Sequence, residues 1–248
     1  MSWIGGIFGA RTSRQMPDMS ALSVDMHSHL LPGIDDGVKT LEESVMLIRK
    51  YVDMGYKKLI TTPHISDRFP NEPEFIKERL AIVNEALAKE QIPIIVEAAA
   101  EYLIEERFEQ LMTQGPLMTF GDNNLLIECS YYFPYPALLN IIYDLQNNGY
   151  NVILAHAERY SYWHHKLEEY EKLRDREVRF QINFSSLTGP YSFGMRKMAR
   201  KLIDLGWVDY AGSDVHSARY FEWFRRGILD KHGRQLIASG ALKNSSLM

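Results

Sequence analysis

The sequence predicts an α/β protein: a distorted (βα)7 TIM-like barrel in a single domain. Three observations predict it. Segments that read as β-strands alternate with amphipathic helical segments from Leu22 almost to the end of the chain. Several of those strands end in residues able to bind metal, and barrels of this kind carry their chemistry on loops at the C-terminal ends of the strands. The length of 248 residues suits one barrel-type unit, and no linker or low-complexity stretch divides it.

Each element has its own signal. Val24-Asp25-Met26 reads as a strand ending in His27 and His29. Thr40-Leu41-Glu42-Glu43 has the Thr-x-x-Glu form of a capping box, and the helix it opens repeats apolar residues at Val45, Ile48 and Val52 before stopping at Gly55. A second strand, from about Lys57 to Thr62, ends at His64; Pro73 then suits the first turn of a helix carrying Phe75, Ile76, Leu80, Val83 and Leu87. A third strand, near Ile92 to Glu97, runs into Ala98-Ala99-Ala100-Glu101. The fourth, Leu125-Leu126-Ile127, ends at Glu128 and enters Tyr131-Tyr132-Phe133-Pro134-Tyr135-Pro136, ahead of a helix through Leu138, Ile141, Ile142 and Leu145. Val152 to Ala155 ends at His156. Val178 to Ile182 enters Asn183, a helix from Met195 to Leu205 stops at Gly206, and Trp207 to Ala211 leads to Asp214 and His216. A closing helix from Arg219 to Leu236 completes seven βα units.

Composition narrows the class. An apolar fraction of 46% supports a full core. The net charge of -4, with no basic stripe interleaved with aromatics, argues against a nucleic-acid partner. The single cysteine, Cys129, excludes a disulfide framework and a thiolate zinc finger, so a reducing, cytoplasmic compartment is expected. No run approaches the roughly 18 apolar residues of a membrane span, so no transmembrane segment is expected. Residues 1–21 read as a loosely ordered leader ahead of a domain at 22–248. Ile4-Gly5-Gly6-Ile7-Phe8, followed by Arg11 and Arg14, offers peripheral membrane contact as the other reading of that leader.

The chemistry collects at strand ends. Residues two apart on a strand point the same way, so His27 and His29 can reach one ion together. Asp214-Val215-His216 repeats that spacing on the last strand, which closure would set beside the first. Two such pairs at one mouth point to a metal site. Asp36, in Asp35-Asp36-Gly37, reads either as a turn residue or as a site acid, and Glu101 as a helix-start acid or a site acid. Glu128 follows three apolar residues on a strand buried on both faces, where an unpaired charge is costly. Arg159 lies three residues after His156 and Arg219 three after His216; either is a surface cation or a phosphate-binding fork.

Other hydrolytic machinery is missing. A Cys-x5-Arg phosphatase motif would need arginine at position 135, which is tyrosine, and neither a Gly-x-Ser-x-Gly elbow nor a Gly-x4-Gly-Lys loop occurs. A His/carboxylate set without thiolates suits manganese, iron or zinc, and nine candidates are enough for two or three ions.

The ordered motifs Asp25-Met26-His27-Ser28-His29 with Asp35-Asp36-Gly37, Thr62-Pro63-His64, Ala100-Glu101, Ile127-Glu128, His156-Ala157-Glu158-Arg159-Tyr160 and Ser213-Asp214-Val215-His216 resemble the polymerase-and-histidinol-phosphatase (PHP) superfamily. They are most similar to its bacterial protein-tyrosine-phosphatase branch, associated with capsule and exopolysaccharide operons. The resemblance runs from about Val24 to the last helix and leaves the leader outside. It implies a metal-dependent protein-tyrosine phosphatase with two or three divalent ions, Mn2+ first and Fe or Zn as alternatives. The implied metal ligands are His27, His29, Asp36, His64, Glu101, Glu128, His156, Asp214 and His216, with Glu101 bridging two ions. Arg159 and Arg219 take the place of phosphate-binding catalytic arginines, the spacing to Arg219 being the less constant. Ala157 stands where the branch commonly has proline, which alters the loop and not the ligands.

The implied reaction is in-line attack on phosphorus by a hydroxide that the cations make available. Tyr131 and Tyr132 either line the rim as substrate-binding residues beside a phosphotyrosine ring or pack the loop against the barrel. The implied partner is a phosphotyrosine protein, an autophosphorylating bacterial tyrosine kinase of polysaccharide export. The other readings of the same scaffold are a histidinol-phosphate phosphatase, a nuclease and a non-catalytic scaffold.

Overall fold

The computed structural model describes residues 16–248, and among them nine short strands carry the fold. In chain order they are β1 (Val24–Asp25), β2 (Lys58–Thr61), β3 (His64–Ile65), β4 (Ile95–Ala98), β5 (Glu101–Leu103), β6 (Asn124–Glu128), β7 (Asn151–Leu154), β8 (Arg179–Asn183) and β9 (Tyr210–Gly212). Every pairing between them is parallel. One sheet has the order β1-β2-β4, the other β3-β5-β6-β7-β8-β9. Pro63 has no N–H to give a ladder, so the second strand read from the sequence becomes two pieces, β2 and β3. A matching break at Ala99-Ala100 separates β4 from β5, with Thr61 opposite Ala98 on one side and His64 opposite Glu101 on the other.

The sheet curls until its ends meet. Ser28, beyond β1, bridges in parallel to Val215, beyond β9. The backbone of Asp214 donates to His27 O at 2.8 Å and that of His29 to Val215 O at 3.0 Å, so the His27/His29 and Asp214/His216 pairs are set side by side. At the opposite end the buried side chain of Asn244 ties the same two strands. Its Nδ2 donates to Val24 O at 3.0 Å and to Ala211 O at 2.7 Å, and its Oδ1 accepts from Ala211 N at 3.1 Å.

Among the described residues eight α-helices follow the strands: α1 (Leu41–Asp53), α2 (Pro73–Lys89), α3 (Glu106–Gln114), α4 (Leu138–Asn147), α5 (Leu167–Arg174), α6 (Phe193–Asp204), α7 (Ala218–Leu229) and α8 (Lys231–Ala238). The expected capping box is in place, with the Glu43 amide donating to Thr40 Oγ1 at 3.2 Å. Pro73 opens α2. Both faces are buried along β1, β2, β6 and β9, as is usual in parallel sheets, whereas Ile95 and Glu97 of β4 are exposed. Leu125 and Ile127 point into the layer shared with the helices, while Leu126, Ile153, Ala155 and Ile60 fill the inside of the curl.

Three expectations need correction. The third strand starts at Ile95 instead of Ile92, because Pro93 cannot donate to its neighbour. The single closing helix is two helices: Asp230 is extended, and its carboxylate accepts from the His232 amide at 2.9 Å to start α8. The short helices α3 and α5 had no counterpart in the sequence reading. Of the segment read as a leader, residues 1–15 lie outside the described residues. Met19 is buried, and its amide donates to Met54 O at 2.7 Å, so the chain is already packed onto the end of α1 there.

Candidate metal centre

At the C-terminal mouth of the curl the strand ends deliver nine donors to one place. They fall into four overlapping groups whose ligand atoms lie within 4.8 Å of one another: His29, Asp36, His64 and His216; His27, His29 and Asp214; His27, Glu101 and His156; His64, Glu101 and Glu128. Parallel register explains the convergence, since β3 and β5 set His64 directly beside Glu101. Gly37 lets the Asp36 loop close down: a Cβ there would stand 2.3 Å from His29 O. His156 (φ 32) and Asp214 (φ 51) hold left-handed backbone conformations, uncommon for non-glycine residues although Asp and His adopt them more readily than most.

The spacing between donors suits shared cations. Two ligands each about 2.1 Å from one ion stand roughly 3.0–3.5 Å apart in tetrahedral or octahedral geometry. His27 Nε2 lies 3.2 Å from Glu101 Oε2 and 3.4 Å from Asp214 Oδ1; His29 Nε2 lies 3.3 and 3.4 Å from the same two oxygens. The two imidazole nitrogens are themselves 3.4 Å apart. His64 Nδ1 is buried at 3.1 Å from Glu128 Oε1 and 3.2 Å from Glu101 Oε2, yet neither contact has hydrogen-bond alignment. A buried nitrogen facing two carboxylates without a hydrogen bond fits a cation between them.

Groups behind the donors fix their orientation. His29 Nδ1 donates to Asp35 Oδ2 at 2.7 Å, and His27 Nδ1 donates to Gln181 Oε1 at 3.0 Å, which frees both Nε2 atoms for the centre. Gln181 Oε1 also accepts from the His156 amide at 2.8 Å, and its Nε2 donates to Asn183 Oδ1 at 2.6 Å. Asn183 Nδ2 in turn donates to Asp214 Oδ2 at 2.8 Å.

The crowded charges shift the titration of several donors. Burial opposes charge on His27, but the Glu101 and Asp214 carboxylates outweigh it and raise its pKa. Burial and the His29 charge oppose protonation of His64, yet Glu128 and Glu101 lift it to about 9. Burial pushes Glu101 upward, while His27, His64 and the hydrogen bond from His156 hold it well below the usual carboxylate range. Asp214 is held low against burial by Arg159, His216 and His27.

The centre floors a cavity of about 710 Å³. Arg159, Tyr131 and Tyr132 line it, together with Arg68, Phe69, Tyr191 and Tyr220, none of which the sequence reading singled out. Buried Arg159 is ion-paired through Nη1 with Asp214 Oδ2 at 2.8 Å and donates from Nη2 to the Tyr191 hydroxyl at 2.6 Å, while its Nε is buried without a partner. The Tyr131 hydroxyl reaches to 3.2 Å from His156 Nε2 although the residue is 40% exposed overall. Arg219 is exposed on the first turn of α7 and does not line the cavity; the next residue, Tyr220, does, its ring 5.1 Å from that of His216. A helix turns about 100° per residue, so adjacent positions face different ways.

Imidazole and carboxylate donors clustered at the C-terminal mouth of a curled parallel sheet define an α/β protein with a centre able to hold several metal ions. The chain belongs to the capsular polysaccharide synthesis CpsB/CapC family, which it matches over residues 23–222. It is 28% identical over 198 residues to the tyrosine-protein phosphatase YwqE of Bacillus subtilis, covering 79% of this chain and 78% of that protein. It is 27% identical over 202 residues to the tyrosine-protein phosphatase CpsB of Streptococcus pneumoniae, covering 78% and 83%. A crystal structure from work on these two proteins, described as unique metal-dependent tyrosine phosphatases, superposes with a TM-score of 0.79 at 26% identity over 90% of this chain and 93% of the other.

Proposed function

We propose that the chain is a metal-dependent protein-tyrosine phosphatase built on a distorted (βα)7 barrel. The observation that carries the reading is Arg159. It is a buried guanidinium beside a multi-donor centre, inside an aromatic-lined cavity, set between Asp214 and the Tyr191 hydroxyl. A guanidinium fork so placed suits a phosphoryl group.

The proposed ligands are His27, His29, Asp36, His64, Glu101, Glu128, His156, Asp214 and His216. Glu101 sets Oε1 beside His156 and Oε2 beside His27, His29 and His64, which supports its role as a bridge. Two or three divalent ions, manganese foremost, would supply the Lewis acidity that activates water and offsets phosphoryl charge. Arg159 orients the phosphoryl group, and Tyr131 and Tyr132 flank the substrate ring. A tyrosine phenol, with pKa about 10, leaves far more readily than a serine alkoxide, so a strong general acid is less necessary. The proposed substrate is a bacterial tyrosine kinase of polysaccharide export, met in the cytoplasm. No helix among the described residues is long and apolar enough to cross a membrane.

The test is turnover of phosphotyrosine and phosphoserine peptides across added manganese, in wild type and His27→Ala. Manganese-dependent release of phosphate from phosphotyrosine alone, lost in the variant, is expected. Failure on both peptides with metal bound would contradict the reading.

A further inference from the structure

The loop after β6 lines two cavities in succession. Ser130, Tyr131 and Tyr132 face the metal cavity; a few residues on, Pro134, Tyr135 and Pro136 form one wall of a groove of about 310 Å³. Leu139, Tyr162 and Trp163 also line the groove, with Lys166 and Glu169 as its charged groups. Tyr162 fastens the two together, because its hydroxyl donates to Ser130 O at 2.9 Å. The Cys129 amide donates to the Tyr160 hydroxyl at 3.0 Å, and the Tyr135 hydroxyl is bonded to Glu109, so the loop is pinned at both ends.

Between the two cavities stand Tyr132, 88% exposed, and Phe133, 62% exposed. Aromatic side chains left this open on a pinned loop beside an active-site mouth mark a recognition surface. Pro134 and Pro136 remove backbone donors there and stiffen the ledge, so contact would be through side chains and not by strand addition.

We infer that this groove holds the segment flanking the phosphotyrosine of a protein substrate, taking an apolar or aromatic side chain of that segment as a second anchor. The inference rests on the phosphotyrosine reading above. Continuity identifies the occupant: a peptide whose tyrosine enters the metal cavity must cross the rim that Tyr132 and Phe133 form. An extended chain advances about 3.3 Å per residue, and the loop from Tyr132 to Pro136 spans at most about 14 Å. The anchor therefore lies roughly three to five residues from the phosphotyrosine.

The test uses peptides carrying a non-hydrolysable phosphotyrosine phosphonate in a Gly/Ser background, with one leucine or tryptophan moved from three to five residues on either side. Affinity for the manganese-loaded protein is read by fluorescence anisotropy, and kcat/KM is measured on the matching phosphotyrosine peptides. One anchored position should bind about ten-fold tighter than the Gly/Ser peptide. That gain should shrink below two-fold in Leu139→Asp and in the more exposed Phe133→Ser, each checked for an unaltered melting profile.

Affinity independent of the flanking residue, or a gain that survives both substitutions, would overturn the inference. So would a dimer in solution that either substitution converts to monomer, since the patch would then be a contact between copies. Flank-independent turnover would leave the phosphatase reading standing and remove the groove. Anchor-dependent binding without turnover would do the reverse.

Discussion

Gln181 Oε1 lies 3.0 Å from His27 Nδ1 and accepts a hydrogen bond from it, so one uncharged side chain on β8 orients a proposed ligand towards the centre. The same oxygen accepts the His156 amide at 2.8 Å. Gln181→Met keeps the volume and removes both bonds. It should weaken metal affinity about 10- to 100-fold, as loss of outer hydrogen-bond partners commonly does. Competition with a fluorescent chelator reads this directly; wild-type affinity in a folded variant would show that Gln181 does not orient the ligands.

Arg159 holds Asp214 and Tyr191 with separate arms of its fork. Arg159→Lys preserves the charge and removes the planar donor array. Metal content per chain should stay unchanged while kcat/KM on phosphotyrosine falls about 10²- to 10³-fold, the loss typical of a transition-state donor. Wild-type kinetics in the variant would remove Arg159 from the site.

Asn244 joins β1 to β9 with three buried hydrogen bonds. Asn244→Ala leaves three backbone groups unsatisfied and should lower stability by about 2–4 kcal/mol. A shift of the urea midpoint at constant slope would report it. No shift would mean that the curl is held closed at the Ser28 end alone.

Metal binding should release protons. His64 is raised to about 9 without a cation, against burial and His29, by Glu128 and Glu101, so below that pH it carries a proton that a metal must displace. Apparent affinity should therefore rise with pH through the range 6 to 9, by up to about ten-fold per unit for each proton released. Calorimetry in buffers of different ionisation enthalpy counts those protons. Affinity flat across that range would contradict a protonated bare cluster.

The strand ends were legible because ligands interrupt apolar runs: Leu125-Leu126-Ile127 ahead of Glu128 and Val152 to Ala155 ahead of His156 are strong local patterns. Gln181 and Asn183 could also have been found, since two amides at the end of a buried strand need partners. They are neither charged nor metal ligands, so residue type alone does not mark them. Asp35 was hidden by its neighbour: Asp35-Asp36-Gly37 offers two acids, and only the folded loop shows Asp35 behind His29 and Asp36 facing His64 and His216.

Arg219 had the spacing of a phosphate-binding arginine but not the direction, which depends on α7 starting at Ala218. The split at Asp230 was written in its capping side chain, but the apolar periodicity continued across it. The aromatic groove was out of reach, because residues near 135 and 163 meet only through tertiary packing.

The most direct test is the count of manganese, iron and zinc per chain by elemental mass spectrometry. The protein would be purified without chelator, as wild type and as Glu101→Gln, with phosphotyrosine turnover measured on the same samples. The account predicts two to three ions per wild-type chain, with metal content and turnover both falling in Glu101→Gln, because Glu101 serves two donor groups. Full turnover from a chain carrying no metal, or full metal content and turnover in Glu101→Gln, would contradict it.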